Sequence, residues 1–278
     1  MPGMDTFEDK VVVVTGAGSG IGRALVHAFA AEGAHVVAAD VEQDALVETA
    51  AASEAITTLT TDVARFEDVL ALADDTFETF GHVDVLCNNA GVFAGGLIWE
   101  RPPSDFEWTL GVNLWGILHG IRAFVPRMIA AQRPGHVVNT VSMAGLCATP
   151  FTAPYNVSKF AALAASECLA HDLAAVGAPI GVSVVVPSAV ATRIGKSGRN
   201  RPDTLAGTTS DDAAFVEQAL VDLTVGHGLP PEEVAAMILA AVRTNTYLVP
   251  TKESYVPQLE QRYAALLDRR LPPMPNFD

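Results

Sequence analysis

The sequence predicts an α/β fold, a doubly wound parallel sheet in a single domain with a mobile lid at one edge. Three observations carry that prediction. Short runs rich in valine and isoleucine alternate with longer stretches of helical pattern through most of the 278 residues. The runs are apolar at consecutive positions, as in strands covered on both faces by helical crossovers. The first run passes directly into a glycine-rich turn and a helix, the place where such sheets bind ligands.

Residues 10–15 (KVVVVT) form the first strand, and the helical pattern after the turn continues to Ala31, with Gly33 as its stop. Further strands fall at 35–39, 55–60, 83–86, 136–141 and 180–186, separated by helices at 42–52, 65–80, 104–131 and 152–176. The crossovers are expected to be right-handed. Residues 188–211 are irregular and rich in Gly, Ser, Thr and Arg. A segment of that length in a compact domain is usually functional, so 188–228 is assigned as the lid, with a helix from 212. Pro231-Glu-Glu suits a helix N-terminus. A last strand at 246–249 and an amphipathic helix at 253–270 follow, and 271–278 is expected to be extended. Neither an internal repeat nor a low-complexity linker interrupts the chain, so 1–278 is read as one unit.

Composition excludes several classes of function. Hydrophobic residues make up 50% and charged residues 18%, which rules out wholesale disorder. No run approaches the ~18 apolar residues of a membrane span. The opening MPGMDTFEDK does not look like a signal peptide. Cys87, Cys147 and Cys168 lie far apart, against a disulfide framework or a structural zinc site and in favour of a reducing cytoplasm; no metal is expected. A formal net charge of −15 argues against nucleic acid and anionic membranes as partners. Against that background Arg193, Lys196, Arg199 and Arg201 form a basic cluster in the lid.

The turn reads Thr15-Gly-Ala-Gly-Ser-Gly-Ile-Gly22. Glycine there allows backbone to approach a diphosphate, and the following helix offers unpaired N–H groups and the positive end of its dipole. The spacing of Gly16, Gly20 and Gly22 is not strict G-x-G-x-x-G, and the absence of Gly-Lys-Ser/Thr excludes a nucleoside triphosphatase loop. Asp40 ends the second strand, 18 residues after Gly22. A carboxylate there accepts hydrogen bonds from an adenosine ribose and repels a 2′-phosphate. Neither Val41 nor Ser19 is basic, so NAD is preferred to NADP; the competing reading of Asp40 is a cap for the next helix.

Tyr155 and Lys159 stand one helical turn apart and share a face. An ammonium near a phenol favours the phenolate, making Tyr155 a general acid/base candidate. Ser142 ends the fifth strand at the carboxyl edge of the sheet, where its hydroxyl can steady a substrate oxygen. Asn113 lies in a mostly apolar helix and must find partners for its amide.

Together these motifs resemble the short-chain dehydrogenase/reductase family, in its compact cytosolic branch with a Rossmann-like sheet. The matches are Thr15-Gly-x-x-x-Gly-Ile-Gly22, Asp62-Val63, Asn88-Asn-Ala-Gly91, Asn113, Ser142, Tyr155-x-x-x-Lys159 and Pro187 through Thr192, in family order over about residues 8–250. The resemblance implies that Tyr155 is the acid/base, that Ser142 orients the substrate oxygen, and that Lys159 holds the nicotinamide ribose. It implies that Asn113 holds a water linking Lys159 to solvent. Gly16, Ser19 and Ile21 would line the diphosphate, Asp40 the ribose, and Asp62 and Val63 the adenine. Asn89, Ala90 and Gly91 would support the sheet edge, and Val190 and Thr192 the nicotinamide amide. It also implies a homodimer or homotetramer formed through the two long helices. Two departures are Pro187-Ser188 in place of Pro-Gly and Thr140-Val-Ser142 in place of a Ser-Ser pair.

The activity implied is hydride transfer between NAD and a small-molecule secondary alcohol or ketone. Phe93, Met143, Leu146, Phe151 and Ser188, with Leu97 and Trp99, are assigned to an apolar or aromatic substrate pocket, although each apolar one equally suits the core. The lid cations either meet an anionic group on the substrate or are simply solvated. Alternatives are a non-catalytic dinucleotide sensor, a methyltransferase on a related sheet, or an enoyl-type reductase. The first two have no need for the Tyr155–Lys159 pair, and relatives of the third space those residues more widely.

Overall fold

The structure, a computed structural model, describes residues 3–207 and 210–275. Its strands are β1 (Val11–Thr15), β2 (His35–Asp40), β3 (Ile56–Thr60), β4 (Val85–Asn88), β5 (Gly135–Thr140), β6 (Ile180–Val186) and β7 (Leu248–Pro250). They make one sheet in the order β3-β2-β1-β4-β5-β6-β7, with every pairing parallel. The order reverses between β1 and β4, which opens a crevice beyond their carboxyl ends.

Consecutive valines in β1 explain the two-sided burial. Val12 and Val14 pack with Leu25 and Phe29 of α1 (Gly20–Ala31), Leu46 of α2 (Gln43–Ala50) and Ile238 of α8 (Pro231–Thr244). Val11 and Val13 face the opposite layer, with Leu72 of α3 (Phe66–Phe80), Phe124 of α5 (Gly116–Ala130) and Leu173 of α6 (Ala153–Ala175). The lid contains short 3₁₀ turns at Ile194–Asn200 and Asp203–Leu205 and then α7 (Asp211–His227). The chain ends with α9 (Tyr255–Leu267), and residues 271–275 have no regular structure. The extended tail expected at 276–278 and the lid positions 208 and 209 lie outside the described residues.

Three boundaries differ from expectation for physical reasons. The single helix expected over 104–131 is α4 (Pro103–Leu110), a π-helical turn at Gly111–Trp115, and α5. The wider turn contains Asn113, whose amide leaves the helix surface to bond another segment. The fourth strand begins at Val85, because Asp84 turns its carboxylate to accept the Val11 N–H at 2.9 Å. The seventh begins at Leu248, because Asn245 (φ +52°) ends α8 and the Thr246 N–H still donates to Ala241 C=O at 2.9 Å.

Candidate active site

β1 delivers the glycine turn to the crevice. Gly16 and Gly20 have φ of +67° and +52°, in the left-handed region that favours glycine. A Cβ on Gly16 would lie 2.7 Å from Ala90 Cα, and one on Gly20 would lie 2.8 Å from Thr192 Cγ2. Gly22 serves packing instead: its Cβ would fall 2.0 Å from the Gly16 carbonyl oxygen. Behind the turn, Thr15 is a residue to which the sequence assigned no role. Its hydroxyl accepts the N–H groups of Asn89 (3.0 Å) and Ala90 (3.2 Å), while Asn89 Nδ2 donates to the Thr15 carbonyl at 3.0 Å. Thr140 donates to Asn89 Oδ1 at 3.2 Å, so three strand ends are joined around this amide.

Asp40 does not cap α2. Its Oδ2 accepts the Gly18 N–H at 2.8 Å and its Oδ1 the Glu42 N–H at 2.9 Å, while Glu42 occupies the cap position. The carboxylate thus ties the glycine turn to the loop after β2 and keeps lone pairs for further donors. Asp62 and Val63 follow β3 on the same wall, with Asp62 Oδ1 accepting the Ala64 N–H at 3.0 Å.

Across the cleft, Ser142 stands just beyond β5 and lines the same wall as Tyr155. Its Oγ also accepts the Ala144 N–H at 3.1 Å, which fixes the rotamer. One turn along α6, Lys159 is buried, and its Nζ donates to Thr140 C=O at 3.0 Å and lies 5.6 Å from the Tyr155 ring centroid. Burial pushes the Lys159 amine down to about 7. Burial also pushes the Tyr155 phenol up, and the Ser142 hydroxyl opposes that shift. The charge attraction expected from Lys159 is therefore outweighed at the phenol by desolvation.

Asn113 is fully buried in its π turn. It donates to Val92 C=O and to Ser158 Oγ, each at 2.9 Å, and accepts the Val92 N–H at 2.8 Å. Both amide hydrogens are engaged, so the side chain clamps the segment after β4 to α6. Gly91 lies in the gap: a Cβ there would sit 3.5 Å from Asn113 Oδ1 and 3.6 Å from Lys159 Nζ.

The cleft encloses about 890 Å³ and extends from the glycine turn to the lid. Gly16, Ser19, Gly20, Ile21, Asp40, Asp62, Val63, Asn89, Ala90 and Gly91 line it together with Ser142, Tyr155, Lys159, Pro187, Val190 and Thr192. Of the expected substrate residues, Phe93, Met143 and Ser188 line it too. Two assignments are corrected. Leu146 packs into a core cluster with Ile117, Val141 and Ala162, because the 3₁₀ turn after Ser142 directs it inward. Phe151 adopts φ +62° and is 38% exposed, its carbonyl engaged by the Gly96 N–H at 2.6 Å. Leu97 and Trp99 are likewise absent from the wall, and Trp99 is 74% exposed.

The lid, expected to close the substrate pocket, supplies Leu205 and α7 to the remaining apolar wall, while Trp108 and Val112 were not anticipated from the sequence. Val216, Leu220 and Leu223 on α7 recur at i, i+4 and i+7, a readable signal for one helix face. Three of the four lid cations pair with protein acids. Arg199 bonds Glu42 at 2.6 Å and Arg193 approaches it at 3.9 Å. Arg201 donates to Asp105 at 2.6 Å with its guanidinium 5.0 Å from the Trp108 ring centroid.

A crevice at the reversal point of a Rossmann-like sheet is where such folds bind ligands, and the family and relatives of this chain make it an oxidoreductase. The chain belongs to the short-chain dehydrogenase/reductase family, and residues 10–203 match the family profile described as short chain dehydrogenase. It is 34% identical to the C alpha-dehydrogenase of Sphingobium sp. strain SYK-6, over 97% of this chain and 89% of that protein. It is 40% identical to the 1-deoxy-11-beta-hydroxypentalenate dehydrogenase of Streptomyces exfoliatus, over 77% of this chain and 80% of that one. A short-chain dehydrogenase/reductase from Burkholderia phymatum, solved in complex with NAD, superposes with a TM-score of 0.95. That protein is 36% identical, with 98% of this chain and 99% of the other covered.

Proposed function

We propose that the protein transfers a hydride between NAD and a secondary alcohol or ketone of apolar or aromatic character, with Tyr155 as general acid/base. The observation that carries this reading is that Ser142, Tyr155 and the buried Lys159 line the same cleft as the glycine cradle. The residues fit a dinucleotide: a Cβ at Gly16 or Gly20 would fill the cradle, and the N-terminus of α1 would offer its free N–H groups to the diphosphate there. Asp40 would hold the adenosine ribose, Lys159 the nicotinamide ribose, and Val190 and Thr192 the amide. When bound, the nicotinamide ring supplies the hydride acceptor or donor.

Ser142 and Tyr155 then hold the substrate oxygen between two hydroxyls, a positioning effect that lowers the barrier. In reduction the Tyr155 phenol gives its proton to the carbonyl oxygen; in oxidation the phenolate takes it from the alcohol. Lys159 adjusts that proton's affinity, while Asn113, through Val92 and Ser158, positions the segment beside it. Phe93, Met143, Trp108, Val112 and α7 supply the apolar surroundings that favour an uncharged substrate.

Incubating the protein with a panel of secondary alcohols and either NAD or NADP, while following the reduced dinucleotide, tests the reading. Turnover with NAD is expected. Binding without turnover of any alcohol or ketone would favour the non-catalytic sensor instead.

The choice of NAD rests on Asp40 and is supported by the NAD complex of the Burkholderia protein. The Asp40→Asn substitution is expected to weaken NAD binding about tenfold, the scale of one charged hydrogen bond, and to narrow the NAD/NADP ratio of dissociation constants. Calorimetric titration with both dinucleotides measures this, and an unchanged ratio removes Asp40 from discrimination.

Among the described residues no helix is long and apolar enough to cross a membrane. Free thiols at Cys87, Cys147 and Cys168 support placement in a reducing cytoplasm. Exposed Trp115 and Val157, beside α5 and on α6, support a homodimer or homotetramer through these helices.

A further inference from the structure

Glu42 directly follows the Asp40–Val41 edge of the cleft, yet its side chain bonds to the lid. Its Oε1 receives Arg199 Nη2 at 2.6 Å, Arg199 Nε at 3.1 Å and Asn200 Nδ2 at 2.9 Å. Arg193 stands 3.9 Å from the same oxygen. These donors are more than 150 positions away in sequence, and the contact joins the two rims of one opening. Asp40, Val41 and Glu42 line one rim; Arg193, Arg199 and Asn200 line the other. Arg199 is preorganised from its own side, because Nη1 donates to Lys196 C=O at 3.0 Å.

An isolated surface ion pair contributes little. Here three donors converge on one oxygen, and Glu42 and Arg199 are only 27% and 31% exposed. The guanidinium holds the Glu42 carboxyl below the usual carboxylate range. Charge placement is equally informative. Among the described residues, the cleft wall contains two guanidiniums, Arg193 and Arg199, and both face Glu42. A ribose 2′-phosphate would require such a group, since guanidinium matches phosphate oxygens in a bidentate fork.

We propose that Glu42 is a positioning and specificity residue that latches the lid across the ribose end of the dinucleotide and sequesters the guanidinium a 2′-phosphate would need. The inference rests on the functional reading above, in which Asp40 receives the ribose. Asp40 repels the extra phosphate directly; Glu42 acts through Arg199, by withholding the cation that would compensate.

The test uses the full chain and its Glu42→Gln and Arg199→Met variants. Calorimetry gives dissociation constants for NADH and NADPH, and stopped-flow displacement gives the NADH release rate. Thermal melting confirms that each variant is folded. Glu42→Gln is expected to release NADH about fivefold faster, the upper range for one partly exposed ionic contact. It is also expected to lower the NADPH/NADH ratio of dissociation constants at least about tenfold, as Arg199 becomes available to phosphate. Arg199→Met is expected to release NADH faster without lowering that ratio, because no cation is set free. Wild-type release or a wild-type ratio in Glu42→Gln overturns the proposal, as does a lowered ratio in Arg199→Met. If the unmodified protein binds neither dinucleotide, the functional reading fails first and the latch falls with it; binding by the unmodified protein therefore separates the two failures.

Discussion

The Tyr155→Phe substitution lowers kcat at least about a hundredfold, the lower bound for loss of general acid/base assistance. The change removes one oxygen from the cleft wall and leaves the ring against Phe93, whose centroid is 5.2 Å from it. Packing is therefore retained, and the loss of one hydroxyl from the cleft wall is expected to cost at most about 1 kcal/mol of stability. Affinity for NADH should change little, since the phenol acts on the substrate oxygen. Single-turnover measurements with a productive alcohol, together with NADH titration and thermal melting, separate these effects. Near-normal turnover in a folded variant would exclude Tyr155 from the chemical step.

The second large effect is expected at Lys159. The Lys159→Met substitution should lower kcat at least about tenfold and weaken dinucleotide binding, because the amine is assigned both to the phenol and to the nicotinamide ribose. Stability provides an independent readout. The folded-state pKa of Lys159 is lowered to about 7 from its ordinary value of 10.5. Between those values the unfolded chain binds a proton that the folded chain does not, so this group makes stability rise with pH through that window. Below about pH 7 a buried ammonium disfavours the fold. Methionine removes the titration, so the melting temperature of the variant relative to the parent should be higher at pH 6 than at pH 9. An equal difference at both values would contradict the burial argument.

The sheet was legible because its signals are local. Consecutive valines in β1 and the unbroken apolar run of β6 mark strands covered on two sides, and the structure has both within one residue of expectation. One wall of the cleft was legible for a related reason, since Gly16, Gly20 and Asp40 occupy fixed offsets from strand ends. Leu146 and Phe151 were misplaced because hydrophobicity indicates burial without indicating which cavity is lined. The balance of charge at Tyr155 also escaped the sequence, because helical spacing puts Lys159 nearby but says nothing of desolvation. Arg199 and Glu42 lie 157 positions apart, and no periodicity connects them.

The π turn at Gly111–Trp115 constrains the gene as well as the protein. One residue rotates an α-helix by about 100°, and the wide turn absorbs that rotation by underwinding, so a single-codon deletion there would restore regular winding and leave α4 and α5 close to their present relation. Asn113 would lose its grip on Val92 even so, because its amide reaches that segment from the widened turn. Surface loops elsewhere can change length with little penalty, whereas here the smallest in-frame deletion would release the clamp between the segment after β4 and α6.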